Sequence, residues 1–93
     1  SVARFLSERA ADGILIFDPQ ERIRSGDLYM MYLEWARQSS EHHVGRRRFT
    51  NRVSSVSPDL KSVKVGGHQI WVGIGRAPNA SLLGLIPPTL YDS

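Results

Sequence analysis

Two adjacent glycines, Gly66-Gly67, separate "KSVKV" from "HQIWVGI", runs in which β-branched or aromatic residues alternate imperfectly with polar ones. Glycine tolerates the positive φ of a tight reversal, so the stretch predicts a β-hairpin. The chain has 93 residues and suggests one small domain. A domain of that size buries only about two-thirds of its unfolded surface, so each large apolar residue counts. With no cysteine, disulfides and cysteine-based zinc sites are excluded, which fits a reducing cytosol and predicts a cytoplasmic protein. No apolar run approaches the ~18–20 residues of a membrane helix, and 41% hydrophobic with 23% charged residues argues against disorder. A start at Ser with no signal-like segment reads as a fragment of a larger protein.

Helical periodicity precedes the hairpin. In "SVARFLSERAA", Val2, Phe5, Leu6 and Arg9 recur at spacings of three and four, predicting a short amphipathic helix that stops near Asp12 and Gly13. Ile14 to Phe17 reads as a buried strand or an apolar loop, Asp18-Pro19 as a turn, and "ERIRS" as a short strand. Ser25 is the expected N-cap of a helix over roughly 26–39, with Asp27 in its first turn where the dipole favours negative charge. Leu28, Tyr32 and Trp35 share a narrow arc of that helix, with Met31, Ala36 and Ser39 at its edges. Met30 and Leu33 lie on its outer side.

A third helix is predicted over about 45–56, "GRRRFTNRVSSV". Phe49, Val53 and Val56 form an apolar stripe, while Arg47, Arg48, Asn51, Ser54 and Ser55 fall on the far side and Arg46 sits at the boundary. The charge is segregated. Residues 42–76 hold Arg46, Arg47, Arg48, Arg52, Lys61, Lys64 and Arg76 against Asp59 alone, a local net of +6 in a chain of net +3. One half of the domain is therefore a candidate polyanion-binding surface. A merely solvated charged face is the alternative for a lone arginine run, and a basic hairpin beside it favours nucleic acid.

The order helix, short strand, helix, helix, hairpin is the winged helix-turn-helix arrangement: an α+β fold of three helices with a small antiparallel sheet and a hairpin wing over residues 1–76. Residues 77–93 are expected to form an apolar extension packing on the domain or a partner. In such a fold the third helix enters the major groove. Arg47, Arg48 and Asn51 would reach deepest, because Arg forks onto guanine or phosphate and Asn pairs with adenine. Arg46, Thr50 and Ser54 would flank them on the backbone, and Lys61, Lys64, His68 and Gln69 would add wing contacts.

Four segments, "VARFLSER", "LYMMYLEW", "RRRFTNRV" and "GGHQIWVGIG", resemble the C-terminal winged-helix domain of phage and plasmid primase-helicases. These are large replication proteins similar to the poxvirus primase-helicase. The shared pattern is Leu28, Tyr29, Tyr32 and Trp35, then Phe49 and Val53, then Trp71, Val72 and Gly73, over about residues 2–75. The family usually caps the third helix with Ser or Thr, where this chain has Gly45, and residues 77–93 lie outside the pattern. The resemblance implies a non-catalytic accessory domain that binds origin or template DNA, duplex or forked, or positions the parent helicase, with oligomers formed through the parent.

No catalytic constellation, cofactor or metal site is expected. His42, His43 and His68 lack a carboxylate or cysteine at ligand spacing, and "GIGRAPN" lacks the P-loop Gly-Lys-Ser/Thr. Asp18 with Glu21, and Glu8 with Asp12, read as surface or turn acids, and Trp35 and Trp71 as core. Asn79-Ala80-Ser81 fits a glycosylation sequon without other sign of secretion. The competing functions are a protein-interaction module, suggested by the 77–93 segment with Met30 and Leu33, and a stand-alone winged-helix transcription regulator.

Overall fold

The periodicities of the chain become six elements in a computed structural model, which describes residues 1–77. They are α1 (Val2–Ala11), β1 (Leu15–Arg24), α2 (Ser25–Gln38), α3 (Arg46–Val56), β2 (Lys61–Val65) and β3 (His68–Arg76). Three helices and a three-stranded antiparallel sheet of order β1-β3-β2 make an α+β fold. The 78–93 part of the expected extension lies outside the described residues. Ala77 itself is buried, and its amide donates to the Ile14 carbonyl at 2.9 Å.

The helices bury the side chains their spacing selects. Val2, Phe5 and Leu6 of α1, Leu28, Tyr32, Trp35 and Ala36 of α2, and Phe49 and Val53 of α3 share one core with Leu15, Ile23, Leu60, Trp71 and Ile74. Full burial of one such aromatic or aliphatic side chain contributes roughly 1.5–3 kcal/mol. Two details of the helices differ from expectation. Ser25 is the first residue of α2 and is buried, and Arg24 takes the N-cap position without a side-chain capping bond. Val56 stays 44% exposed, because α3 ends there and its last turn runs past the core.

At the end of α2 the chain reverses through Ser40, at φ +54. The Glu41 amide bonds to the Ala36 carbonyl at 2.9 Å and the Ser40 amide to the Arg37 carbonyl at 3.3 Å, so the orphan carbonyls of the last turn are answered. The serine holds a conformation usually given to glycine.

The hairpin forms as its glycines predict, with Val65 opposite His68 and both Gly66 (φ +56) and Gly67 (φ +82) left-handed. The region before α2 is more continuous than the expected strand-or-loop, turn and short strand. One strand runs from Leu15 to Arg24 and pairs with β3 on either side of a bulge, Phe17 facing Ile74 and Arg22 facing Val72. Asp18 to Glu21 form the bulge, four residues facing Gly73 alone, and Pro19 is tolerated because β1 is an edge strand and the bulge has no ladder bond for its missing N–H. Gly73 lies opposite this bulge at φ +104, where a Cβ would stand 2.9 Å from the Leu60 side chain.

One polar contact anchors α1 to α2. The Glu8 carboxylate accepts from the Arg4 guanidinium and from Trp35 Nε1, the latter at 3.2 Å. The Arg4 hydrogen bond, then that of Trp35, hold Glu8 below the usual carboxylate range. A carboxylate depressed by folding stabilises the fold above its unfolded pKa, and that contribution disappears as pH falls through its folded value. Glu8→Gln is therefore expected to unfold at lower urea concentration than the wild type at pH 7, with the difference shrinking below about pH 4. Equal midpoint differences at pH 7 and pH 3 would contradict this role.

Candidate nucleic-acid interface

Phe49 decides which way α3 faces. Its ring stacks on Tyr32 at 4.7 Å, meets Tyr29 edge-on at 5.3 Å and lies 6.3 Å from Phe5. Val53, one turn on, is also fully buried. With that stripe inward, Arg47, Arg48, Asn51, Arg52, Ser54 and Ser55 are all exposed. The connection into α3 is held by the same tyrosines. The Tyr29 hydroxyl donates to the Val44 carbonyl and the Val44 amide donates to the Tyr32 hydroxyl, each at 3.0 Å. Sequence spacing places Tyr32 in the core but does not reveal this backbone clamp, since contacts to main chain leave no periodic signal.

The first turn of α3 is open to an anion. Gly45 is the N-cap and offers no side-chain acceptor, and the turn contains no acid. Unpaired first-turn amides and the positive end of the helix dipole both favour a negatively charged oxygen. Gly45, Arg46, Arg47, Arg48 and Asn51 line a shallow concavity of about 460 Å³ at this end. Arg46 reaches back toward α2: a Cβ on Gly26 would lie 3.4 Å from its guanidinium. Thr50 is half-buried and donates its hydroxyl proton to the Arg46 carbonyl at 3.0 Å, which leaves its oxygen as an acceptor only.

The ion pairs of the described residues all lie within residues 1–41, among them Arg4–Glu8, Arg4–Glu41, Arg9–Asp12 and Arg37–Glu34. Among the described residues, Arg46, Arg47, Arg48, Arg52, Lys61, Lys64 and Arg76 have no carboxylate partner. Seven uncompensated cations on 35 residues create a positive field that neighbouring acids do not cancel.

The hairpin residues divide. Directly paired residues of an antiparallel sheet share a face and successive residues alternate. Ser62 pairs with the core residue Trp71, and Lys64 with Gln69, so Lys64 and Gln69 lie on the side of the helices. Lys61, opposite Val72, and His68, opposite Val65, lie on the other side. All four are exposed, and the Gln69 amide donates to the Ser62 hydroxyl. Only Lys64 and Gln69 share the helical face with α3, since the alternation of a strand cannot present consecutive residues to one ligand.

Among the described residues no three His, Cys, Asp or Glu side chains gather closely enough to hold a metal ion. No described helix is long and apolar enough to cross a membrane. Trp35 and Trp71 are buried in the core, and Glu8 is engaged by Arg4 and Trp35. No protein-family model matches the chain, and neither does a curated protein or a solved structure.

Because Arg47 and Arg48 are exposed and unpaired, replacing both with Ala is expected to leave thermal stability within about 0.5 kcal/mol of wild type. Calorimetry checks this; a large drop would mean that the arginines serve the fold.

Proposed function

We propose that this chain is a non-catalytic DNA-binding domain of the winged-helix type, with α3 as the recognition helix and the β2–β3 hairpin as the wing. The observation that carries the reading is the exposed, uncompensated arginine face of α3 opposite a fully buried Phe49–Val53 seam. The winged-helix assignment is supported by the element order and by the hairpin, whose β2 residues are exposed throughout. Arg47, Arg48 and Asn51 reach base edges, Arg46 and Ser54 hold phosphates, and Lys64 and Gln69 extend the contact from the wing. The motif resemblance of the four segments is the sole support for the parent, a cytoplasmic phage or plasmid primase-helicase whose catalysis resides elsewhere.

Fluorescence anisotropy on duplex and forked DNA tests the reading. Each phosphate neutralised steepens the log–log salt dependence by about 0.9. Arg47→Ala/Arg48→Ala is expected to weaken binding by at least roughly tenfold, the loss anticipated for a bidentate arginine contact. Weak, salt-insensitive binding unchanged in the variant would refute it.

A second reading, docking onto the parent helicase through α2, is favoured by Met30. It is 64% exposed and lines a concavity of about 430 Å³ with Ile14, Met31 and Trp35. Leu33, expected beside it, instead packs partly buried against the core, which narrows that surface. Under this reading Met30→Asp abolishes pull-down of the helicase domain in the absence of DNA; unchanged capture would exclude α2 as the contact.

A further inference from the structure

The sheet has a second face that the proposed function does not use. Trp71, Ile74, Leu15 and Ile23 point into the helical core. The strand register therefore sends Ile70 and Val72 of β3 outward, with Val63 of β2 beside Ile70 and Val65 beside His68. On the same outer face, β1 places Arg22 opposite Val72 and Arg24 opposite Ile70, while β2 places Lys61 opposite Val72. The result is an aliphatic spine rimmed by cations: Arg22 and Arg24 along one edge, Lys61 on the other, and His68 near the hairpin tip. Arg22, Arg24 and Lys61 have no carboxylate partner among the described residues.

The Lys61–Val72 end of the spine borders a concavity of about 560 Å³ that wraps round the end of the sheet to Phe17, Val56 and Pro58 on the helical side. Three of the six large hydrophobic residues exposed among those described, Ile16 opposite Gly75, Val63 and Val65, lie on this outer face. The acids near this face sit at its far end. Asp18 and Asp59 line the concavity, and Glu21 folds over Gly75.

We propose that this outer sheet face is a docking surface for an acidic amphipathic helix of a protein partner. Charge complementarity selects the occupant. The rim demands carboxylates on both flanks, and the aliphatic centre demands an apolar stripe between them. A nucleic acid satisfies the rim alone. It has nothing to bury Ile70, Val63 and Val65, and the face offers no aromatic platform for base stacking. The dimensions agree. Where β1 and β2 both flank β3, from Ile70 to Val72, three strands at ~4.8 Å spacing present a width of about 10 Å, the diameter of an α-helix with side chains at about 10–12 Å. From His68 to Gly75 the face runs about 27 Å at ~3.4 Å per residue, the length of a helix of about 18 residues.

The test is a titration of the full chain, followed by amide chemical shifts. The probe is a synthetic peptide of about 18 residues, with Leu at helical spacing and Glu on the flanking positions. Shifts are expected at Arg22, Arg24, Val63, Ile70 and Val72, and not at Arg47 to Asn51. Arg22→Glu/Arg24→Glu is expected to weaken the peptide about tenfold while retaining duplex affinity. Val63→Glu, at an exposed position on the opposite edge, gives an independent loss. Four results overturn the proposal: equal binding of the same peptide with Lys in place of Glu, peptide shifts mapping to α3, outer-face shifts caused by duplex DNA, or contacts of residues 78–93 with this face in the free chain. Failure of α3 to bind DNA leaves this test intact, because the two surfaces report through different residues.

Discussion

The position of α3 rests on one side chain, Phe49, set against the rings of Phe5, Tyr29 and Tyr32. A helix of three turns has no stable existence alone in water, and its amphipathic face must find a partner. The aromatic cluster supplies that partner with directional packing, since stacked and edge-on rings resist rotation about the helix axis more than aliphatic contacts do. The tyrosines that hold the ring also fix Val44, the residue just before the α3 cap, through their hydroxyls. One cluster therefore sets both where α3 begins and which way its arginines point.

The distribution of charge follows the same division. In residues 1–41 Arg4, Arg9 and Arg37 on the helices pair with acids, whereas Arg22 and Arg24 of β1 do not, and Glu8 ties Arg4 to the indole of Trp35. Such exposed pairs contribute little stability individually, but they neutralise the field on that side of the molecule. From Arg46 onward the cations have no such partners among the described residues. A protein that needed its arginines only for solubility would gain nothing from keeping acids away from them, whereas a polyanion contact depends on that separation.

Much of this architecture is legible in periodicity alone. The seams Val2–Phe5–Leu6, Leu28–Tyr32–Trp35 and Phe49–Val53 recur at helical spacing, and Gly66-Gly67 announces its turn through local sterics. The features that periodicity misses depend on tertiary partners. Asp18-Pro19 looks like the end of a strand, and only pairing with β3 shows that β1 resumes beyond it. Val56 keeps the helical spacing of the stripe, yet the core has ended where it arrives. Lys61, Lys64, His68 and Gln69 are neighbours in sequence, and only the strand register separates them into two pairs on opposite faces.

β3 departs from regular alternation at Gly73. Trp71 and Ile74 both point into the core although they are three residues apart, an odd spacing that a regular strand cannot accommodate. The break falls between them, where Gly73 takes φ +104 opposite the four bulge residues of β1. A side chain at that position would be strained and would meet Leu60, so the register change requires glycine. With the register changed there, β3 sends Trp71 and Ile74 inward and keeps Ile70 and Val72 outward. The central strand thereby closes a helical core beneath while maintaining an aliphatic spine above. A regular β3 would have had to expose Ile74 or leave a polar position against the helices, and either would weaken the layer on which Phe49 and α3 depend.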